Sequence, residues 1–373
     1  MAVIHAITTW LSTIEHMVLA PEDITQIAHW EDAVQSLADE LLETEEHHTI
    51  ANQIIDGYIR QHNRRLHSTT TPPPILTDAL QQYMDELCTR PQIEQRTEQW
   101  YEQIKTILGA SELDDIFASP RIRALLVMSK ANPQPRPSQP LAVYSNRMSA
   151  FDWGIRFEPV VKQIYEHMYN TKIRELGRLL CKEDTRLSAS PDGLVYSGSR
   201  AGRLIEIKCP VTREPDGTIS KKYYTQMQSQ LFVTGLTMCD FVEAVFISPY
   251  SAEISRCGPG LFYGEILFIE TLTEAYEVEY SYLYSPVNPM ETFTPQIEPN
   301  QSILERIPWC LYSWHEQIVR ADPHWWHKVQ PVVNQFWEDV AKAKRGEFTV
   351  PASTRAPRTK KEQQCLIVIK EGV

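Results

Sequence analysis

Apolar and polar positions alternate along this chain with two periods, and the period changes from segment to segment. Trp10, Leu11, Ile14, Met17 and Val18 recur at helical spacing, as do Val34, Leu37, Leu41 and Leu42, so residues 1–67 read as amphipathic helices. A further helix runs over about Thr77 to Cys88. Val161, Ile164, Tyr165 and Met168 continue a helical stripe that begins near Glu158. Leu204-Ile205-Glu206-Ile207-Lys208 then switches to strand alternation, and Asp240 to Ile247 reads as another strand. Between these two, Ser220 is a suitable N-cap and Gly235 a suitable stop for a helix over 221–234. Helix, strand, strand, helix, strand is the order of an α/β core.

Downstream, Gly264–Ile269 and Tyr276–Tyr284 read as strands, the second by clear alternation; its tyrosines fit a packed sheet face or a base-stacking one. From Ser302 onward the chain reads as helical and rich in tryptophan, with Trp309, Trp314, Trp325, Trp326 and Trp337. Ser-Thr-Thr-Thr-Pro-Pro-Pro at 68–74 is a linker, and four prolines between Asn132 and Pro140 exclude a helix or central strand there. The expected organisation is an acidic helical module (1–67), the linker (68–74), a core with its leading helices (75–290), a Trp-rich helical cap (291–350) and a basic tail (351–373).

The net charge of −12 is unevenly placed. Residues 1–94 hold 4 basic and 15 acidic side chains; the remainder holds 32 basic and 33 acidic. The core is therefore nearly neutral, which leaves room for a local basic groove. The acidic module fits packing on the core, docking of a partner or mimicry of DNA alike. Seven of the 11 histidines fall within 1–67, at irregular spacings and without cysteines, which is a poor zinc pattern. Seven cysteines, an odd number without a Cys-x-x-Cys, fit a reducing intracellular compartment. No apolar run is long enough to cross a membrane, and the first residues lack the pattern of a signal peptide.

The chemistry concentrates in the middle. Ser190-Pro191-Asp192-Gly193-Leu194-Val195 leads through a Gly-containing loop to Leu204-Ile205-Glu206-Ile207-Lys208-Cys209-Pro210. On a strand, Glu206 and Lys208 share one face and Ile205 and Ile207 the other. A hairpin would return Asp192 beside Glu206. Taken alone, Glu-x-Lys also suits a solvated edge. Two carboxylates and an ammonium on rigid backbone suit a hard divalent cation and an activated water.

Taken together, Glu158-Pro159, Ser190-Pro191-Asp192-Gly193-Leu194, Glu206-Ile207-Lys208-Cys209-Pro210 and Gln226-Met227-Gln228 before Val233-Thr234-Gly235 resemble the lambda-exonuclease family, the YqaJ-type viral recombinases of the PD-(D/E)XK nuclease superfamily. The likeness begins at Arg96–Tyr101, passes through Gly109-Ala110-Ser111 and covers about residues 95–250. It implies an α/β fold: a restriction-endonuclease-like core, a mixed central sheet flanked by helices, with helical additions at both ends. It implies Asp192 and Glu206 as metal ligands with the Ile207 carbonyl, Glu158 beside them, Lys208 orienting the attacking water or stabilising the scissile phosphate, and Gln226 holding the water or Lys208. Gln228, two positions on, faces elsewhere and reads as polar packing.

The implied activity is exonucleolytic hydrolysis of duplex DNA ends with Mg²⁺, or Mn²⁺ in its place, in viral or phage recombination and replication. Double-stranded DNA would be the substrate, a single-strand annealing or single-strand-binding protein a partner, a homo-oligomer an option, and the host cytoplasm or nucleus the location. A structure-specific endonuclease of the same fold and a non-catalytic recombination scaffold are the alternatives. One departure stands out: Glu112 follows Ala110-Ser111, where some members carry an arginine for a terminal 5′ phosphate. Ser111, Arg121, Arg123, Lys130, Lys221 and Lys222 are the candidate DNA contacts, with Arg200 and Arg203 flanking the motifs.

Overall fold

The computed structural model describes residues 77–93, 97–133, 149–211, 213, 215–248, 262–288 and 293–352. The acidic module, the linker, most of the Pro-rich loop and the basic tail beyond Ala352 lie outside the described residues.

In chain order the elements are α1 (Asp78–Thr89), α2 (Glu98–Ile104), β1 (Leu108–Gly109), α3 (Pro120–Ala131), α4 (Ala150–Tyr169), β2 (Ile173–Arg174), β3 (Leu179–Leu180), β4 (Leu187–Ala189), β5 (Gly193–Val195), β6 (Leu204–Lys208), α5 (Lys221–Thr234), β7 (Met238–Ile247), β8 (Tyr263–Leu272), β9 (Val278–Tyr284), β10 (Gln301–Arg320) and α6 (Trp325–Lys344). Seven strands form one mixed sheet in the order β2-β5-β6-β7-β10-β8-β9, and β1-β4-β3 form a small second sheet. Contacts divide the chain at Leu113/Asp114, Gln134/Pro135 and Trp326/His327 into two compact units. The first holds both sheets with α1, α2, α4 and α5. The second holds α3 and nearly all of α6.

The predicted hairpin is present. β5 pairs antiparallel with β6 in the register Gly193↔Ile205, and β6 pairs parallel with β7. A parallel pair needs a crossover, and α5 supplies it. Ser220 caps α5 by accepting the Tyr223 amide, and Gly235 closes it at φ 74°, as expected from the sequence. The β6 faces separate cleanly. Ile205 and Ile207 join Val242, Ala244, Phe246 and Phe268 in a core covered by Phe157, Val160, Val161 and Ile164 of α4. Each fully buried side chain of this size contributes about 1.5–3 kcal/mol. The opposite face carries Glu206 and Lys208 beneath α5.

Two expectations are corrected. The helix bearing Glu158 begins eight residues earlier than the stripe implied, because Ser149 and Asp152 form a capping box, so Glu158 sits inside α4. Pro159, next to it, has no N–H for Ile155. The chain after Ser302 is not helical until Trp325: residues 301–320 form the long strand β10. Its first half pairs with β8 and its second half with β7. Ile303, Ile307, Trp309, Tyr312, Trp314, Ile318 and Val319 are β-branched or aromatic, the composition strands favour. Pro308 is tolerated because only β8 pairs with the strand at that point.

Candidate active site

Asp192 stands at the entrance to β5, and its Oδ2 accepts the backbone amide of Ile207 at 2.7 Å. That bond ties the acid across the hairpin to the strand bearing the other groups. Glu206 is fully buried. Its Oε1 takes the Lys208 ammonium and the Gln226 amide at 2.7 Å, and its Oε2 takes the Gln230 amide at 2.7 Å. The nitrogen of Lys208 lies 5.0 Å from the Tyr223 ring centre, on the first turn of α5. Glu158 pairs with Lys162 one turn on at 2.9 Å, and Lys162 also reaches Glu175 at 2.7 Å.

These groups surround a cleft of about 510 Å³, lined on one side by α4, including Gly154 and Glu158, and on the other by Asp192, Ile207, Lys208, Arg213 and Tyr223. A Cβ placed on Gly154 would meet nothing within 4 Å, so that turn of α4 faces open space. Burial raises the Asp192 carboxyl well above the usual carboxylate range; Glu206 and Glu158 push it further up, against the pull of Lys208 and the Ile207 amide. Burial alone would lower Lys208, but the charges of Glu206 and Asp192 outweigh it and hold the ammonium above its ordinary range. Burial also pushes the Cys209 thiol up, so this cysteine is protonated and inert, a small packing residue.

The donor chemistry fits a hard cation. Asp192 and Glu158 line the cleft with Ile207, and Mg²⁺ takes one or two carboxylates beside its waters. Glu206 accepts from Lys208 and two glutamines, and its Oε2, which takes one of these bonds, keeps a lone pair for a cation. Among the described residues no three His, Cys, Asp or Glu side chains close into a ligand group.

The structure thus brings Glu158, Asp192, Glu206, Ile207, Lys208 and Gln226 together. Gln228 turns away as expected, bonding the Arg320 carbonyl and the Asp322 amide. Gln230 was missed, although its spacing of four from Gln226 puts both on one helix face. Lys221 and Lys222 are exposed on the first turn of α5, and Ser111 is exposed on a turn after β1. Arg121, Arg123 and Lys130 lie in the second unit. There Arg121 donates to the Pro351 carbonyl, Arg123 pairs with Asp339 at 2.8 Å, and Lys130 is buried. Glu112 folds back onto the Gly109 amide at 3.2 Å, and its charge acts on the buried Arg178.

Arg200 and Arg203 are not surface cations. Both bond Asp240, which is fully buried, and Arg200 also pairs with Glu316 and lies over the Tyr169 ring. Tyr165 donates to the same aspartate at 2.5 Å. This network locks α4, β7 and β10 together behind the site.

A mixed sheet with an acid at the start of one strand, Glu-x-Lys on the next and helices on both faces is the α/β core expected from the sequence. Residues 99–237 match the family model described as a YqaJ-like viral recombinase domain. A protein of Acanthamoeba polyphaga mimivirus, described only as uncharacterized, is 28% identical over 176 residues, which are 43% of this chain and 31% of that one. The chain therefore spans about a third of that relative's length. Among solved structures, an alkaline exonuclease from Laribacter hongkongensis is similar at 18% identity and a TM-score of 0.41, covering 67% of this chain and 95% of that chain. A phage-related exonuclease from Haemophilus somnus is similar at 14% identity and a TM-score of 0.32, covering 64% of this chain and 92% of that one.

Proposed function

We propose that this protein is a metal-dependent deoxyribonuclease that degrades duplex DNA from its ends, in viral or phage recombination and replication. The observation that carries the reading is the set Asp192, Glu158 and Lys208 on one cleft, with Glu206 held beneath them by Gln226 and Gln230. The YqaJ-like domain supports it.

Asp192, Glu158, Glu206 and the Ile207 carbonyl are the donors for Mg²⁺, or Mn²⁺ in its place. A bound ion supplies an acidified water and offsets charge on the phosphate. Asp192 is kept from swinging by the Ile207 amide. Lys208 stays protonated, so its role is to orient the water and to stabilise phosphate charge rather than to remove a proton. Gln226 and Gln230 fix Glu206, and through it Lys208. Tyr223 limits the space the ammonium can take.

Glu112 favours a second reading, an endonuclease of the same fold. An acid occupies the position next to Ser111, and Arg121 and Arg123 are committed within their own unit. A linear duplex with each strand labelled, beside a covalently closed circle, separates the two in Mg²⁺ and in EDTA. Metal-dependent release of mononucleotides from the linear form alone is expected. Cutting of the circle would establish the endonuclease. No cleavage of either form by folded protein that still binds DNA would establish the scaffold.

The five free cysteines among the described residues, four of them buried, agree with a reducing intracellular location. Among those residues no helix is long and apolar enough to cross a membrane. A single-strand annealing or single-strand-binding partner and a homo-oligomer belong to the same reading.

A further inference from the structure

Glu243 is a second buried carboxylate beside the cleft, and neither the strand pattern nor the motif set calls for it. It stands on β7 directly across from Lys208 in the parallel register. Its neighbours Val242, Ala244 and Val245 are apolar, as a central strand requires. Its side chain is 1% exposed, where an unpaired carboxylate is strongly disfavoured. Its partner is Arg213, whose Nη2 donates to Glu243 Oε1. The other oxygen, Oε2, is buried with no hydrogen-bond partner among the described residues. Such an acid is poorly explained by stability alone.

Arg213 is 46% exposed and lines the cleft. Tyr223, whose ring centre lies 5.0 Å from the Lys208 nitrogen, lines the same cleft. A guanidinium carries five N–H donors in a rigid fork. One edge anchored on a buried carboxylate leaves the remaining donors pre-aimed, which suits the planar, paired contacts a phosphate offers. Among the described residues, Lys208 and Arg213 are the cationic side chains lining the cleft. Lys208 is held by Glu206 and is the less exposed of the two, so Arg213 is placed to reach further along the substrate backbone.

We propose that Arg213 binds a phosphate of the strand being cut and that Glu243 is its positioning residue. The proposal rests on the nuclease reading for its setting, but its test does not depend on cleavage. Binding of a short DNA duplex in EDTA is measured by fluorescence anisotropy between 50 and 200 mM salt, with a 5′-phosphate or a 5′-hydroxyl end, for wild type, Arg213→Ala, Arg213→Lys and Glu243→Gln. Steady-state kinetics in Mg²⁺ follow.

Arg213→Ala should lower the slope of log affinity against log salt by about 1 and raise KM roughly tenfold, with a smaller effect on kcat. Arg213→Lys should restore the slope but not KM, because a point charge lacks the fork. Glu243→Gln should raise KM in the same direction while keeping the slope, because the charge remains but is no longer aimed. A loss on both ends supports an internal phosphate, and a loss confined to the phosphorylated end supports the terminal one.

Unchanged slope and unchanged KM in Arg213→Ala would overturn the proposal. Arg213 is half exposed, so this variant decides the matter even if Glu243→Gln fails to fold. Should the wild type cut nothing while Arg213→Ala still loses slope, the contact stands and the nuclease reading fails.

Discussion

Asp192 and Ile207 are joined by a 2.7 Å hydrogen bond from backbone amide to carboxylate. The bond places an acid whose charged form is disfavoured, because burial and the charges of Glu206 and Glu158 all push its proton affinity up. Sites built for chemistry commonly give up stability in this way.

Asp192→Asn should therefore separate function from stability. The neutral isostere relieves the repulsion and keeps an oxygen for the Ile207 amide. We expect cleavage to fall at least a hundredfold while the protein gains about 1 kcal/mol, or roughly 2–4 °C in Tm. Calorimetry beside a cleavage assay checks this; a variant that is both inactive and less stable would speak for a structural role.

The same carboxyl sets a pH dependence. Its folded-state pKa lies above the ordinary value near ~3.9, so its contribution favours folding below that value and is lost as pH rises through the raised one. In the proposed site a bound ion would displace this proton, so Mg²⁺ binding there would move the opposite way. The rise in Tm on adding Mg²⁺ should be larger at pH 8.5 than at pH 5.5, and should vanish in Asp192→Asn. An equal rise at both pH values would show that Asp192 is not a ligand.

The Oε1 of Gln230 is buried without a partner among the described residues, while its Nε2 serves Glu206. Gln230→Ala leaves Glu206 Oε2 undonated. It should cost about 1–3 kcal/mol and reduce kcat. Gln228→Ala, which frees the Arg320 carbonyl and the Asp322 amide instead, should lower urea stability by a similar amount and leave kcat intact.

How far the site could be read from the sequence depended on range. Glu206 and Lys208 follow from strand alternation, Asp192 from the hairpin, and Ser220 and Gly235 from cap chemistry, all of which are local rules. Gln230 carried a signal in its spacing from Gln226. The pairs Arg213–Glu243, Arg203–Asp240 and Arg200–Glu316 join residues 30 to 116 positions apart, and no local pattern marks which arginine is buried. The β10 segment, rich in tryptophan, reads as helix from its sequence; only pairing with β8 and β7 decides such a segment.

Gly235 tests the local rules directly. It holds φ 74°, and a Cβ there would collide with the Tyr83 hydroxyl, which donates to the Thr234 carbonyl at 2.5 Å. Gly235→Ala combines backbone strain with the loss of that contact, and should cost about 1–3 kcal/mol in urea unfolding. Tyr83→Phe alone should cost about 1 kcal/mol. An unchanged midpoint in Gly235→Ala would mean that the α5 end relaxes freely.

DNA hydrolysis by the groups on this cleft is the proposed chemistry. Its most direct measurement is single-turnover cleavage of a labelled duplex in Mg²⁺ by wild type, Lys208→Ala and Glu206→Gln, each shown to be folded by circular dichroism. The account predicts cleavage by wild type that EDTA abolishes, and a loss of at least a thousandfold in both variants. Cleavage at the wild-type rate by folded Lys208→Ala would place the chemistry elsewhere and contradict the account.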